Sequence, residues 1–360
     1  MDGVNFFIAI IKIMDLMLIS LGFIIMINRD EIDLAVKLLK QGRLIVFPTE
    51  TVYALAGDAR NLSALKQIFK LKHRPLNQAL SVLLAEHQSL DAWATNVSPL
   101  ARKLAQHFWP GPLTLILNKH ESVLSELCAG QAKIGLRVPD HPVAQALLKA
   151  FAGGLAAPSA NRSAHLSPTQ VEHVRQEFAD KLALIIEGGP CAVGIESTVL
   201  DVTTKIPRVL RVGAISLEQI SQFTPYELIK SVPKLTQLAK PLLQQIAIGQ
   251  LAPMVREYLH QGKTLTVLGL RPPNMSHENL IWITMPNEAV KYGQVLYQYL
   301  HDAEQRASDR ETRGTRRDRG VPRAGCGRLA QDDVHERDQR GEQHDQPGAV
   351  MAQVVDGLEP

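Results

Sequence analysis

From residue 26 onward, helical stripes and short apolar runs take turns along the chain. Asp30 can cap a helix whose Ile32, Ala35, Val36 and Leu39 fall on one face, and Gly42 ends it. Leu44–Phe47 reads as a buried strand stopped by Pro48. Asn61 caps a second helix with Leu62, Leu65 and Phe69 inward, and Leu80–Leu84 reads as another strand. Pro99 suits the first turn of a helix running to Trp109, where Trp109-Pro110-Gly111-Pro112 breaks it. Strands are expected at Leu113–Leu117 and Ile134–Val138, then a helix from Pro142 to Phe151 that ends at Gly153-Gly154. Ser167-Pro168-Thr169-Gln170 has the spacing of a capping box with proline at the first helical position. Strands at Leu182–Ile186, Ser197–Val202 and Arg208–Arg211 follow, and Ser216 with Gln219 opens one more capped helix.

Strands and helices interleave, but several strands are joined by short turns. That predicts an α/β fold with a twisted, mixed β-sheet flanked by helices rather than an all-parallel one. This first domain is expected over 26–223. Turn and polar residues over 224–243 read as a linker, and a smaller α/β domain over 244–303 carries strands at Leu265–Leu268 and Ile281–Ile283 and a helix at Tyr292–Leu300.

Both ends depart from this pattern. Residues 4–27 are apolar but broken by Lys12 and Asp15, and the uninterrupted Leu16–Ile27 is shorter than the roughly 20 residues a membrane span needs. A basic n-region and a small-residue cleavage site are missing, which argues against a signal peptide. The preferred reading makes Met26 the start and residues 1–25 an upstream apolar extension; a hydrophobic anchor and a buried helix are the alternatives. N-terminal mass spectrometry of the native protein separates them. At the other end, the basic residues between Arg306 and Arg340 are almost all arginine, and the stretch lacks Ile, Phe, Tyr and Trp. It cannot supply a core, so 304–360 is expected to be a disordered tail. The abrupt change of vocabulary reads as a shifted frame, with a natural basic–acidic tail that contacts RNA as the alternative.

Composition narrows the class. With 39 basic and 36 acidic residues the net charge is only +3, so any basic binding surface must be local. Cys128, Cys191 and Cys326 lie far apart with no CxxC spacing, which argues against a disulfide framework or a zinc site and fits a cytoplasmic protein.

Four segments put polar, phosphate-competent residues where strands or helices end: Pro48-Thr49-Glu50-Thr51-Val52-Tyr53; Lys72-His73-Arg74-Pro75; Pro158-Ser159-Ala160-Asn161; and Glu196-Ser197-Thr198 with Arg211-Val212-Gly213 shortly after. In an open α/β sheet ligands gather at the carboxyl ends of strands, and Lys, Arg, Ser and Asn there can neutralise a triphosphate. Each has a plainer reading: Lys72 and Arg74 can offset a helix dipole, and Ser159 and Asn161 can be turn residues. Thr49 and Thr51 can simply end a strand, and Arg211 can be a surface pair. Arg137 interrupts an apolar strand, and a buried arginine needs an anion, either a ligand or a structural Asp or Glu.

Together these segments resemble the YrdC/Sua5 family of threonylcarbamoyl-AMP synthases. The family signature of Lys-x-Arg followed downstream by Ser-x-Asn stands here as Lys72-x-Arg74 and Ser159-x-Asn161, and the similarity extends through PTETVYAL (48–55), WPGPLTLIL (109–117), GLRVPDHP (135–142), APSANRS (157–163), SPT (167–169), GIESTVLD (194–201) and LRVG (210–213). The resemblance implies a reaction in which ATP, L-threonine and bicarbonate give threonylcarbamoyl-AMP and pyrophosphate, for modification of adenosine 37 of tRNA by a downstream complex. It implies Lys72, Arg74, Ser159, Asn161, Ser167 and Arg211 as ATP-binding residues, with Lys72 and Arg74 nearest the chemistry. It implies Thr51, Arg137, Ser197 and the backbone at Ala157 as threonine-binding residues. A guanidinium fork on Arg137 suits a carboxylate, and Mg2+ is expected to arrive with the triphosphate. No general base is nominated, because attack on phosphorus needs alignment and dispersed positive charge first.

Departures from the family pattern are also visible. A proline and a histidine common in the family are replaced by Ala79 and Leu83. The His-Tyr-Ala-Pro linker element of Sua5-type members is missing, although Gly249-Gln250-Leu251-Ala252 resembles its beginning and Tyr258 lies nearby. The second domain resembles the Sua5 domain only faintly, at 268–273 and 292–300. Three rivals stand beside the enzyme. One is a hydrogenase-maturation carbamoylation module, whose acylphosphatase and CxxC segments are not visible. The second is a non-catalytic RNA-binding or translation-associated module using Lys66, Lys70, Lys72 and Arg74. The third is an inactive product of an irregular frame.

Overall fold

A computed structural model describes residues 28–178, 181–228, 242–271, 275–318 and 350–355. The expectations for 1–25, for most of the linker and for 319–349 lie outside the described residues. The chain divides into two compact units, one of residues 1–162 and 168–230, the other of 163–167 and 231–360.

In the first unit, α1 (Arg29–Lys40) is capped by Asn28, whose Oδ1 accepts from the backbone N of Asp30 at 3.1 Å and Glu31 at 3.4 Å. The cap is therefore two residues earlier than expected, and Asp30 sits in the first turn, where its charge suits the dipole. Strand β1 (Ile45–Phe47) turns back into β2 (Ala54–Asp58). Helix α2 (Leu62–Lys72) is capped by Asn61 and closed by His73 in the left-handed region at φ 49°. There follow β3 (Ser81–Leu83), β4 (Ala94–Thr95), α3 (Pro99–Phe108), β5 (Leu113–Lys119), β6 (Lys133–Arg137), α4 (Pro142–Phe151) and β7 (Leu155–Ala156). The unit is completed by α5 (Val171–Phe178), β8 (Thr198–Asp201), β9 (Arg208–Arg211), α6 (Leu217–Ser221) and β10 (Glu227–Leu228).

The strands form one mixed sheet in the order β1-β2-β7-β3-β6-β5-β8-β9-β10, with β4 beside β5. β3–β6, β5–β8 and β9–β10 are parallel; the other neighbours are antiparallel. Side-chain alternation along the strands sorts residues onto two faces. Val46, Leu55 and Val82 join a core with Leu65 and Ile68 of α2 and Leu104 of α3. Ile45, Phe47, Ala56 and Leu83 join a second core with Ile32 and Leu39 of α1 and Leu147 and Leu148 of α4. The sheet is thus covered on both sides, as the fold class predicted.

Two expectations fail locally. The helix expected to open at Pro168 starts instead at Val171: Pro168 O accepts from Tyr53 N at 2.8 Å, and Thr169 N donates to His173 Nδ1 at 3.2 Å. Leu182–Ile186 is not a strand; it contributes only an isolated bridge between Val46 and Ile185.

The second unit is a parallel sheet of β11 (Leu242–Ala247), β12 (Leu265–Gly269), β13 (Leu280–Thr284) and β14 (Val350–Val355) in the order β11-β14-β12-β13, with helices α7 (Ile248–His260) and α8 (Ala289–Asp318). The expected boundary at 303 does not coincide with an element boundary: α8 runs across it, and Val350–Val355 pairs with both β11 and β12. Among the described residues no helix is long and apolar enough to cross a membrane.

Candidate active site

The sheet's crossing strands bring the four polar segments of the first unit to one cavity of about 170 Å3. Its walls are the β1–β2 turn (Thr51, Val52), the approach to β3 (Arg74, Ala79–Ser81), Leu83 and the segment after β7 (Ala157–Ser159). On the far side stand Thr114 of β5, Arg137 of β6, Glu196 and Ser197 before β8, and Arg211 at the end of β9. Of the residues nominated from sequence, Arg74, Ser159, Arg211, Thr51, Arg137, Ala157 and Ser197 line it. Lys72 and Asn161 stand behind its wall, and Ser167 belongs to the segment grouped with the second unit. Ala79 and Leu83, the two positions that depart from the family pattern, are both on the wall.

Thr49 builds the turn that presents Thr51. Its hydroxyl donates to Val52 O at 2.6 Å, accepts from Val52 N at 3.2 Å and meets the Thr51 hydroxyl at 2.9 Å. The adjoining Tyr53 is held by Pro168 O and in turn accepts Ala160 N at 2.8 Å, while Leu55 N donates to Pro158 O at 2.8 Å. The Pro158–Asn161 segment is thus stitched to the strand that follows the turn.

Lys72 supports the same segment from beneath. Only 2% exposed, its ammonium donates to the carbonyls of Ser159 and Asn161 and lies 3.3 Å from Asn161 Oδ1, which also accepts the Ser159 hydroxyl at 2.6 Å. Burial, with the Arg74 charge adding to it, pulls the Lys72 pKa down to about 7. The folded state then binds fewer protons than the unfolded one above pH 7, so stability climbs as pH rises through 7. Relative to Lys72→Met, the wild-type chain is expected to gain about 1 kcal/mol between pH 7 and pH 8 in urea denaturation. Equal slopes would mean that the three acceptors keep the lysine fully charged.

The guanidiniums differ in how they are held. Arg74 Nε donates to Gln78 O at 3.1 Å and Nη2 to Ala79 O at 2.8 Å, which leaves its Nη1 hydrogens without an acceptor among the described residues. Burial lowers its pKa, and among the described residues no carboxylate pairs with it. Arg137 is 7% exposed and does have a protein partner: its Nη2 lies 2.7 Å from Glu50 Oε2, while Nε donates to Gly111 O at 3.2 Å. Glu50 Oε2 also accepts Asp140 N at 3.0 Å. The plainer expectation of a structural carboxylate is therefore met on one edge of Arg137, and Nη1 has no partner among the described residues. Arg211 reaches Ser197 twice, Nε to the carbonyl and Nη2 to Oγ, both at 3.0 Å.

Sequence reasoning missed Thr114, whose hydroxyl lies 2.8 Å from Ser197 Oγ and ties the far wall together. Its alternation within Leu113–Leu117 signalled only a strand. Gly213 matters for a geometric reason: a Cβ there would fall 2.3 Å from Glu196 O and 2.5 Å from Ser197 C. Glycine lets the chain after Arg211 pass directly over the Glu196–Ser197 backbone. Among the described residues no group of three or more His, Cys, Asp or Glu could hold a metal ion, and Glu196 is the carboxylate on the wall.

Comparison with known proteins gives a consistent result. The Sua5/YciO/YrdC family model, described as telomere recombination, matches residues 37–213. A threonylcarbamoyl-AMP synthase of Pyrococcus abyssi is 40% identical over 196 residues, covering 54% of this chain and 58% of that protein. A putative threonylcarbamoyl-AMP synthase of Mycobacterium tuberculosis is 35% identical over 188 residues, covering 52% of this chain and 86% of the relative. The chain spans about half the length of several curated relatives: 58%, 56% and 49% of those from P. abyssi, Bacillus subtilis and Schizosaccharomyces pombe. Among solved structures, P. abyssi Sua5 complexed with L-threonine is 26% identical, with a TM-score of 0.70 over 90% of this chain and 88% of the other.

Proposed function

Because the chain belongs to the Sua5/YciO/YrdC family, we propose that its first unit is a threonylcarbamoyl-AMP synthase, joining ATP, L-threonine and bicarbonate into threonylcarbamoyl-AMP with release of pyrophosphate. The observation that carries the reading is Arg74: a guanidinium drawn into a cavity with Arg137 and Arg211, given only carbonyl partners and no carboxylate. A partly buried cation so placed calls for an anion, and a triphosphate supplies one.

In this reading bicarbonate releases CO2 by losing its hydroxyl oxygen as water, and the neutral threonine amine adds to the CO2 carbon and loses a proton, giving a carbamate. The carbamate oxygen attacks the α-phosphorus, and the bond to the pyrophosphate oxygen breaks. Arg74 and Arg211 would disperse the phosphate charge, with the Ser159 loop, fixed by Lys72 and Asn161, as the wall the phosphates rest against. Arg137 Nη1 would meet the threonine carboxylate, and Thr51, Ser197 and the Ala157 backbone its polar groups. Mg2+ would enter bound to the triphosphate, with Glu196 the wall residue able to ligate it, and would add neutralising charge. The product would pass to a separate complex that modifies tRNA adenosine 37, in the cytoplasm. A non-catalytic RNA-binding surface is less well supported, since Lys72, one of its four lysine and arginine candidates, is 2% exposed.

Purified full-length protein incubated with ATP, Mg2+ and bicarbonate is expected to release pyrophosphate only when threonine is added. Release that is indifferent to threonine or bicarbonate, or none from folded protein, would overturn the proposal.

A further inference from the structure

A second and larger cavity, of about 350 Å3, lies in the first unit and shares none of its lining residues with the one described above. Its floor is apolar: Leu44 and Phe178 are buried, with Leu71 and Ala183 beside them. Its rim is polar and strongly one-signed. Arg43, Lys70, His73 and Lys181 are exposed around it, Arg162 is half-buried, and Gln67 completes the ring. No carboxylate lines it, although the chain as a whole has 36 acidic residues against 39 basic ones.

Helix-dipole compensation explains Lys70 and His73 at the end of α2. It does not explain Arg43, Arg162 and Lys181, which arrive from three other segments. Arg43, Lys70 and Lys181 make no ion pair among the described residues; Arg162 is tied to Glu177 at 3.4 Å. Cations gathered without counter-charge repel one another, and the arrangement is relieved when an anion enters. The last turn of α2 parts the two cavities: Lys72 turns inward to the Ser159–Asn161 carbonyls, while Lys70 and His73 line the second opening.

We infer that this cavity binds a nucleoside phosphate, with the heterocycle on the Leu44–Leu71–Phe178 floor and the phosphate among Arg43, Lys70, Arg162 and Lys181. A volume of about 350 Å3 is within the range that takes a small ligand, and an apolar platform ringed by cations is the combination that nucleotides use. The nucleotide is either free or an exposed unit of an RNA strand. The inference does not depend on the reaction proposed for the first cavity.

The test titrates the full chain with AMP and, separately, with a short single-stranded oligoribonucleotide, comparing wild type, Lys70→Glu/Lys181→Glu, and a charge control, Lys149→Glu/Lys205→Glu. The expected result is one fewer AMP site in the first variant, or at least about tenfold weaker binding of the oligonucleotide, with the control unchanged. Loss of an AMP site assigns a free nucleotide, whatever the first cavity binds. Loss confined to the oligonucleotide assigns a strand. Relief of like-charge repulsion also predicts that the variant melts no lower than wild type; should it fail to fold, Lys70→Gln/Lys181→Gln takes its place. Equal binding by all three proteins, or binding of neither probe by wild type, would overturn the inference.

Discussion

Arg137→Met is expected to destabilise the first unit by about 3–5 kcal/mol, the usual cost of removing one partner from a buried ion pair. Both side chains are withdrawn from water, Glu50 at 4% and Arg137 at 7% exposure, and their contact is 2.7 Å. Without the guanidinium, Glu50 Oε2 keeps only Asp140 N, at 3.0 Å, while Oε1 has no partner at all among the described residues. The carboxylate cannot leave easily, since its backbone oxygen accepts Val193 N at 2.7 Å and Gly194 N at 3.4 Å. Adding Glu50→Gln to Arg137→Met should therefore recover part of the loss, because the stranded charge disappears. Urea denaturation followed by tryptophan fluorescence in a Trp282→Phe background confines the signal to Trp93 and Trp109 of the first unit. A single-variant cost below about 1 kcal/mol, or a double variant worse than the sum of its parts, would show that the pair is solvated and that Glu50 does not hold Arg137.

That pair also marks how far the sequence could be read. A lone arginine in the apolar Ile134–Val138 run demanded an anion, and that demand was legible. Which anion was not: Glu50 lies in a different turn far along the chain, and only the packing of β1 against the rest of the sheet delivers it. Local signals did well where they were self-contained. Asn61 caps α2, Ser216 and Gln219 form a complete capping box, and Pro142–Phe151 forms the expected helix. They failed where a distant partner claimed the same groups. The Ser167 motif had the spacing of a cap, but Pro168 O, which would have opened the helical ladder, is taken by Tyr53 N. Strand β2 was not anticipated, since Ala-Leu-Ala-Gly-Asp has little β character; it forms because β1 and β7 pair with it. Gly57 within it faces Leu44, whose Cδ2 would lie 2.9 Å from an added Cβ. The site was legible through its short motifs, and Thr114 escaped because nothing in a strand pattern distinguishes a wall hydroxyl from an ordinary β-forming threonine.

Arg74→Ala is expected to lower kcat/KM for threonine-dependent pyrophosphate release by about 10²–10³, the loss typical of removing one preorganised donor to a developing charge. The side chain is well suited to this measurement because the fold relies on it little: its two bonds go to Gln78 O and Ala79 O in its own loop, and no ion pair is broken by its removal. Far-UV spectra and the melting temperature should hardly move. Lys72→Met would be a poorer probe, since that lysine organises the Ser159–Asn161 carbonyls and its loss displaces the wall rather than a single contact. Arg74→Lys separates charge from shape. A lysine keeps the positive charge but loses the planar fork, two of whose N–H groups are already committed to carbonyls while Nη1 has no acceptor among the described residues. Recovery to near the wild-type rate would mean that a point charge suffices. A defect close to that of alanine would mean that the phosphate is gripped through Nη1 in a fixed direction, which is the outcome the geometry supports. If Arg74→Ala costs less than threefold in a protein that is otherwise active, the triphosphate is bound elsewhere, and the cavity described here is not where the adenylate forms.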